Sequence, residues 1–295
     1  MKVIHDDEKI TENSVIALGS FDGLHIAHIS IIKNIVNYAR ENGLKSVVML
    51  FEGNFKNVKQ ITDNASKIKI LDKINPDYVY IRKFDKEFME LTPRQFVEYL
   101  IGNLSVKAIC VGYDYTFGYK AQGTVDVLCR LGDEYGLKVI ITEKQTYDNH
   151  VISSTYIREL IENGKVDKAQ RMLGRYFFIE GDVEQGYQNG TKMAVPTANI
   201  GYSENNVLPK CGVYAGYTVI DGIRYKSVVN VGDNPTFNGD TITVESHILG
   251  FDGDLYGKRL TVEFVQYLRE EMTFDGIDEL RYQIKNDIEK AKAIL

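Results

Sequence analysis

The hydrophobic pattern of this 295-residue chain changes near residue 175, and this change constrains the fold more than any other feature. Before it, short apolar runs alternate with segments whose apolar residues recur at helical spacing. After it, apolar and polar residues alternate with a period of two, as in strands with one buried face. The sequence therefore predicts two domains of different class, residues 1–175 and 176–295.

The first half is predicted to be an α/β domain. Five apolar runs have the length of buried strands: Ser14–Phe21, Lys45–Phe51, Asp77–Ile81, Val106–Val111 and Leu137–Thr142. Helical patterns lie between several of them, for example Pro93–Leu104 and Thr124–Tyr135, and a further one, Thr155–Leu173, is interrupted at Asn163 and Gly164. Continuous apolar strands separated by amphipathic helices are typical of a Rossmann-like parallel sheet covered on both faces.

The second half is predicted to be antiparallel. Val213, Ala215 and Tyr217 point to one face of a predicted strand, and Asp221-Gly222 follows as a hairpin turn. Further alternating runs indicate an antiparallel barrel or sandwich. A helical stripe from residue 277 to residue 295 predicts a helix at the C-terminus.

Composition and charge exclude several function classes. The formal net charge is −6, whereas a surface built for nucleic acid would be basic. The three cysteines are scattered and lack the spacing of a metal site. The first residues have no apolar core of a signal peptide, and no run approaches the roughly 18 apolar residues of a membrane span. We expect a cytoplasmic protein without nucleic-acid or membrane partners.

The first predicted strand leads into a motif rich in groups that bind phosphate. Its candidate site residues are Gly19, Phe21, Asp22, His25 and His28. Open α/β sheets bind ligands at the carboxyl ends of their strands, where a helix N-terminus offers N–H groups to phosphate. The spacing is not G-x-G-x-x-G, so a dehydrogenase is excluded. The segment instead resembles the G-x-F-D-x-x-H-x-G-H signature of the nucleotidylyltransferase superfamily.

Two further segments resemble a narrower family, the bacterial flavin adenylyltransferases. The stretch 111–118, VGYDYTFG, is similar to their V-G-x-D-F-x-F-G and contains Asp114. The stretch 152–158, ISSTYIR, is similar to their I-S-S-T-x-I-R. The resemblance implies that Ser153, Ser154 and Arg158 face the ATP phosphates. Taken alone, the serines are equally compatible with a helix N-cap and the arginine with the surface.

The second half contains the most specific string in the sequence, Pro-Thr-Ala-Asn at 196–199. With the preceding loop, which includes Gly190 and Lys192, it resembles the G-x-x-x-G-x-P-T-A-N-I segment of riboflavin kinases. The resemblance implies that the loop covers ATP and that Thr197 and Asn199 help to hold Mg²⁺ and the phosphates. A hydroxyl and an amide oxygen are suitable ligands for this hard cation.

Motifs further along match the same kinases. The stretch 230–237, NVGDNPTF, and the stretch 244–249, VESHIL, look like their N-I-G-x-x-P-T-F and V-E-x-H-I-L. The family assigns the catalytic base to the glutamate that corresponds to Glu245. A hydroxyl that attacks a γ-phosphoryl group needs such a proton acceptor, although an arbitrary glutamate on a strand usually faces solvent. Position in the family pattern also suggests Arg269 as a contributor to the flavin pocket.

The ordered set of motifs identifies the chain as similar to the bacterial bifunctional riboflavin kinase/FAD synthetases. This resemblance implies the substrates riboflavin, FMN and ATP, and it leaves open self-association as a homo-oligomer. Three positions depart from the family pattern: Ala27 replaces the glycine of H-x-G-H, residues 51–55 replace a Pro-His-Pro loop, and Ala194 replaces a glycine.

Alternatives to the bifunctional enzyme follow from these departures. A kinase with a degenerate first domain would stop at FMN. A non-catalytic flavin-binding regulator would keep only the pocket, but the intact Glu245 and Thr197 argue against it. A cytidylyltransferase shares the first signature but has no reason to carry the second domain.

Overall fold

The computed structural model describes residues 1–53, 58–184, 197–236 and 239–295. For residues 233–236 and 239–241 it describes the main chain alone. Gly190 and Lys192, predicted to contact ATP, lie outside the described residues, as does part of the loop at 51–55. The described chain divides into two compact units, Met1–Ser154 and Thr155–Leu295.

The elements of the first unit follow the predicted alternation. Its strands are β1 (Lys2–His5), β2 (Ser14–Ala17), β3 (Lys45–Glu52), β4 (Tyr78–Lys83), β5 (Val106–Gly112), β6 (Lys138–Thr142), β7 (Thr146–Tyr147) and β8 (His150–Val151). Its helices are α1 (Ile26–Asn42), α2 (Asn64–Asp72), α3 (Lys86–Met89), α4 (Pro93–Leu104) and α5 (Val125–Tyr135). β1, α2, α3, β7 and β8 were not predicted from the sequence.

Six strands of the first unit form one parallel sheet in the order β1-β4-β3-β2-β5-β6. This confirms the predicted Rossmann-like architecture. The strand order reverses at β2, because β3 and β4 lie on one side of it and the later strands β5 and β6 lie on the other. The carboxyl ends of β2 and β5 therefore flank the crevice at which open α/β sheets bind their ligands.

The central strand β2 is buried on both faces, which explains its unbroken apolar sequence. Val15 packs in one core cluster with Ile32 of α1, and Ile16 packs in a second cluster with Leu100 of α4. At the start of α4, Thr92 and Gln95 form a capping box, which fixes the beginning of this helix at the predicted residue.

The second unit is a closed antiparallel barrel, as predicted. Its strands are β9 (Phe177–Glu184), β10 (Ala198–Ile200), β11 (Gly212–Ile220), β12 (Ile223–Thr236), β13 (Gly239–Ile248) and β14 (Arg259–Arg269). They close in the order β10-β13-β12-β11-β14-β9. The remaining helices are α6 (Ser154–Glu162), α7 (Val166–Leu173) and α8 (Ile277–Ile294).

Helices α6 and α7 account for the difference between the predicted boundary at residue 175 and the division after Ser154. Helix α7 packs against β9 and β14 of the barrel, so it groups with the second unit. Helix α8 covers the outer face of β11 and β12, where Val213, Ala215 and Val228 contact Ala291. None of the helices in the described ranges is long and apolar enough to cross a membrane.

Gly181 on β9 is required by a close approach inside the barrel. A Cβ atom at this position would lie 1.5 Å from the carbonyl oxygen of Gly201, which follows β10. Because that oxygen belongs to the main chain, the clash cannot be relieved by a change of rotamer. The barrel closes between β9 and β10 only if residue 181 has no side chain.

We expect Gly181→Ala to lower the free energy of unfolding of the barrel by about 3 kcal/mol or more, because overpacking is most costly where main chain must move. Native-state hydrogen exchange of the β9 and β10 amides would measure the effect. Gly276→Ala is the matched control, since nothing lies within 4 Å of a Cβ at that position. Equal protection in Gly181→Ala and the wild type would contradict the clash.

Candidate active sites

The signature loop, residues 19–25, leaves the carboxyl end of β2 and makes an unusual turn. Phe21, Gly23 and Leu24 have left-handed backbone angles, with φ of 46°, 76° and 38°. The Phe21 ring is fully buried, and a Cβ on Gly19 would lie 3.2 Å from it. The glycine thus lets the ring lie against the main chain, which explains the spacing of the G-x-F-D motif. Left-handed angles are costly for non-glycine residues, so the loop must be held by other contacts.

Asp22 supplies these contacts. Its Oδ1 atom accepts hydrogen bonds from the main-chain N–H groups of Ile61 at 3.0 Å and Thr62 at 3.3 Å. Its own carbonyl oxygen accepts a hydrogen bond from Ser154 Oγ at 2.9 Å, across 132 residues of sequence. Asp22 is therefore a buried structural anchor, and its carbonyl oxygen joins Ser154 of the stretch 152–158 to the signature loop.

His25 and His28 lie together at the start of α1. Their rings are stacked, with centroids 3.5 Å apart and an interplanar angle of 16°. His25 is the N-cap of α1, and its Nδ1 accepts the N–H of His28 at 3.3 Å. Because Nδ1 is an acceptor, the neutral His25 ring carries its proton on Nε2. The edge of Phe21 packs against His28 at a centroid distance of 5.2 Å, which helps to fix the direction of this ring.

The other predicted residues of this site occupy different surroundings. Asp114 is exposed in the turn after β5, the strand beside β2 at the switch point. Ser153 directly precedes α6. Arg158 is half-buried on α6, one helical turn beyond Ser154, and belongs to the second unit.

Glu245 lies on β13 with a polar residue on each side. Strand register places Asn199 of β10 and Asn230 of β12 directly opposite it. Residues opposite each other in adjacent strands point to the same face, so the three side chains form a row. Glu245 points to the outer face of the barrel, because its neighbours Val244 and Ser246 are buried. Partial burial of its carboxyl raises the pKa of Glu245 above the usual value of 4.5.

Asn230 and Glu271 belong to the same neighbourhood but were not among the predicted site residues. A Cβ on Gly232 would lie 2.0 Å from Glu271 Oε1 and 3.1 Å from Asn230 Nδ2, so both side chains lie over this glycine. The quoted motif that starts at residue 230 contained the signal for Asn230. Nothing in the local sequence marks Glu271, because its proximity depends on the pairing of β11, β12 and β14.

The oxygen atoms beside Glu245 fit a small hard cation. Thr197 is exposed and lies two residues before Asn199, hence on the same side of the extended chain. A hydroxyl, an amide oxygen and a nearby carboxylate match the ligand chemistry of Mg²⁺, which keeps several waters and binds phosphate oxygens. Within the described ranges, no group of three His, Cys, Asp or Glu side chains could hold a metal.

Arg269 is engaged in a buried ion pair. Its guanidinium donates to both carboxylate oxygens of Asp287 on α8, with distances of 2.8 to 3.1 Å. Gln283 Nε2 donates to the same carboxylate at 2.8 Å. Asp287 is 2% exposed. The contact between Arg269 and the flavin stays a prediction. The structure shows that this arginine fastens α8 to the end of β14.

The fold and the two sites define a class of protein. The first unit has a parallel sheet with a histidine pair after its central strand, which is typical of ATP-dependent nucleotidyl transfer. The second unit is a barrel in which a half-buried glutamate lies beside oxygen atoms that suit a metal, which is typical of ATP-dependent phosphoryl transfer.

Comparison with known proteins identifies the family. The sequence model of FAD synthetase matches residues 7–156, and that of riboflavin kinase matches residues 173–295. The chain belongs to the bifunctional riboflavin kinase/FMN adenylyltransferase family. Relatives with this name are 33% identical in Listeria monocytogenes, over 98% of this chain and 95% of theirs, and 34% identical in Bacillus subtilis, over 94% and 91%. The relative in Escherichia coli K12 is 32% identical over 94% and 91%.

A solved structure has the same fold. The crystal structure of a protein described as a macrolide-efflux protein from Streptococcus pneumoniae superimposes with a TM-score of 0.90 and 30% identity, covering 98% of both chains. The family matches confirm the predicted bifunctional enzyme, because both domains are present, and they favour it over the monofunctional kinase and the regulator.

We expect Asp287→Asn to destabilise the barrel unit by about 3 kcal/mol, because it leaves the Arg269 charge buried without its counter-ion. Urea unfolding followed by hydrogen exchange of α8 would measure the loss. Asp278→Asn, an exposed position on the same helix, is the control and should cost well under about 1 kcal/mol. A loss no larger than that of the control would show that the ion pair does not fasten the helix.

Proposed function

We propose that Glu245 is the general base of the riboflavin kinase reaction. Its carboxylate takes the proton from the ribityl 5′-hydroxyl of riboflavin as the oxygen attacks the γ-phosphorus of ATP, which releases ADP and gives FMN. The observation that carries this assignment is the row Asn199, Glu245 and Asn230. In this row Glu245 lies beside two amides that could orient a base, and burial raises the pKa of its carboxyl above the usual value, which supports the role.

Thr197 and Asn199 would hold Mg²⁺ together with the ATP phosphates. When bound, the cation neutralises charge on the transferring phosphoryl group. The side chains themselves fix the nucleotide on the strand next to Glu245, so that the hydroxyl and the γ-phosphorus meet in line. Gly190 and Lys192 are proposed to contact ATP, as the sequence resemblance implies.

We propose that the second ATP reacts at the signature loop. A phosphate oxygen of FMN attacks the α-phosphorus of ATP, which releases pyrophosphate and gives FAD. This nucleophile is already anionic, so the site needs no strong base. His25 and His28, with Arg158, would stabilise the charge that develops on the α-phosphate. The observation that supports this assignment is the stacked histidine pair at the N-terminus of α1, the helix that follows β2, at which the strand order reverses.

We propose binding roles for the other residues of the first site. Gly19, Phe21 and Asp22 would shape the nucleotide pocket, and Asp114, Ser153 and Ser154 would contact the nucleotide or the flavin. The predicted division of the two reactions between residues 1–175 and 176–295 would be tested by assaying each step in variants of the other site. A cytoplasmic location and a homo-oligomeric state would be tested by cell fractionation and light scattering.

We expect Glu245→Gln to lower kcat for FMN formation by roughly 10² to 10⁴-fold, the contribution typical of a general base. Chromatographic separation of the flavins formed from riboflavin and ATP would measure it. FAD formation from supplied FMN should persist in the same variant. Glu289→Gln, an exposed position on α8, is the matched control. FMN formation at a near wild-type rate in Glu245→Gln would remove Glu245 from this role.

The pH profile gives an independent test of the same base. The rate requires the ionised carboxylate, so kcat/KM for riboflavin should rise with pH as Glu245 loses its proton. Because burial raises the pKa of Glu245, this acid limb should lie above the pH of 4.5 expected for an ordinary glutamate. The limb should be absent from the residual activity of Glu245→Gln.

We expect His28→Ala to lower FAD formation from FMN by roughly 10²-fold, the cost of removing one transition-state donor, while FMN formation stays unchanged. The control is His5→Ala, an exposed histidine of the same unit. Equal loss of both reactions in His28→Ala would contradict two separate sites.

A further inference from the structure

Lys67 is a buried lysine that belongs to none of the recognised motifs. It lies on α2 and is only 4% exposed. Lysine is almost never fully buried unless its charge is paired. A lysine in this position therefore requires a physical explanation that the sequence patterns do not provide.

The charges around Lys67 point to the signature loop. Burial lowers the pKa of Lys67, whereas the nearby carboxylates of Asp22 and Asp63 act in the opposite direction and favour the ammonium. Its Nζ donates to Asn64 Oδ1 at 3.4 Å. Asp63 is the N-cap of α2, since its Oδ1 accepts the N–H of Ser66 at 2.7 Å. Lys67 thus supplies a positive charge near both carboxylates, and its helix α2 packs against the turn formed by residues 22–24.

The buried polar side chains of the first unit concentrate in this region. Apart from Ser14 and Ser46, those found in the described residues are Asp22, His25, Thr62, Ser66 and Lys67. The first two belong to the signature loop and the others to the segment to which Asp22 is bonded. A loop fixed by polar contacts has a defined orientation, which apolar packing of similar area would specify less sharply.

The loop needs this fixation because of its backbone. Phe21 and Leu24 hold left-handed angles that are costly for residues other than glycine and persist only when the surroundings impose them. The Asp22 carboxylate imposes them through Ile61 and Thr62. Asp22 is 9% exposed, and a positive charge nearby offsets the loss of water around its carboxylate.

We propose that Lys67 is a positioning residue for adenylyl transfer, whose buried ammonium compensates Asp22 and thereby keeps the signature loop in the geometry that aims His25 and His28 at the phosphates. Lys67 does not contact the reacting atoms. This inference rests on the proposed role of the signature loop in FAD formation.

The test uses the full chain and three variants at positions of α2. Lys67→Met keeps the length and removes the charge, Lys67→Arg keeps the charge, and Lys69→Met removes a charge from an exposed position of the same helix. Steady-state kcat and KM for FAD formation from FMN and ATP are measured in each, together with FMN formation from riboflavin. The kinase step reports on the second unit within the same molecule.

We expect Lys67→Met to lower kcat for FAD formation about tenfold or more, since small displacements of catalytic groups have effects of this size. KM for FMN should change little, and FMN formation should match the wild type. Lys67→Arg should recover most of the loss, and Lys69→Met should show none. In an Asp22→Asn background, Lys67→Met should cause little further loss, because the two charges act as one unit.

Other outcomes would overturn the inference. Unchanged kcat in Lys67→Met would show that the charge is not needed for positioning. Equal losses of kcat in Lys67→Met and Lys67→Arg would show the same. Fully additive losses of kcat in the double variant of Lys67→Met and Asp22→Asn would also contradict the inference. If Lys67→Met does not fold, Lys67→Gln and the Arg variant give the same comparison. Loss of FAD formation in His28→Ala with no effect at Lys67 would refute only this inference, whereas no effect of His28→Ala would refute the proposed site itself.

Discussion

The carboxylate of Asp22 accepts two main-chain N–H groups from a segment about forty residues further on, and the geometry of the first site depends on this contact. The loop between β2 and α1 would otherwise relax from its left-handed angles. With the loop held, the histidine pair stands at the N-terminus of α1, where the helix dipole favours phosphate. The same residue connects the loop to Ser154 through its carbonyl oxygen. Asp22 thus joins the signature loop to residues 61–62 through its side chain and to Ser154 through its main chain.

The second site depends on strand register instead. Glu245 faces outward only because β13 pairs with β10 and β12 in the observed register, and a slip by one residue would turn it into the barrel interior. Inside, Thr218, Ser227 and Ser246 satisfy one another by hydrogen bonds, which favours this register over its neighbours. The closed barrel is the frame, and its outer face carries the groups suited to phosphoryl transfer.

The family assignment fits this physical description, and the departures from the family pattern are local. Ala27 is half-buried in the first turn of α1, where alanine is a favourable helix residue. The match to a structure described as a macrolide-efflux protein shows a shared fold over nearly the whole chain. A fold by itself does not define a reaction, and the catalytic assignments depend on the residues at the two sites.

The sequence by itself determined the two fold classes, most element boundaries and the motif residues, because periodicity, capping residues and short motifs are local. It predicted α4 to the residue, since Thr92 and Pro93 define its start. It did not indicate that α7 packs on the barrel, that Asp287 binds Arg269, or that Lys67 is buried near Asp22. These facts join residues that are distant in the chain, and only tertiary packing decides which charges are taken out of water and which partner compensates them.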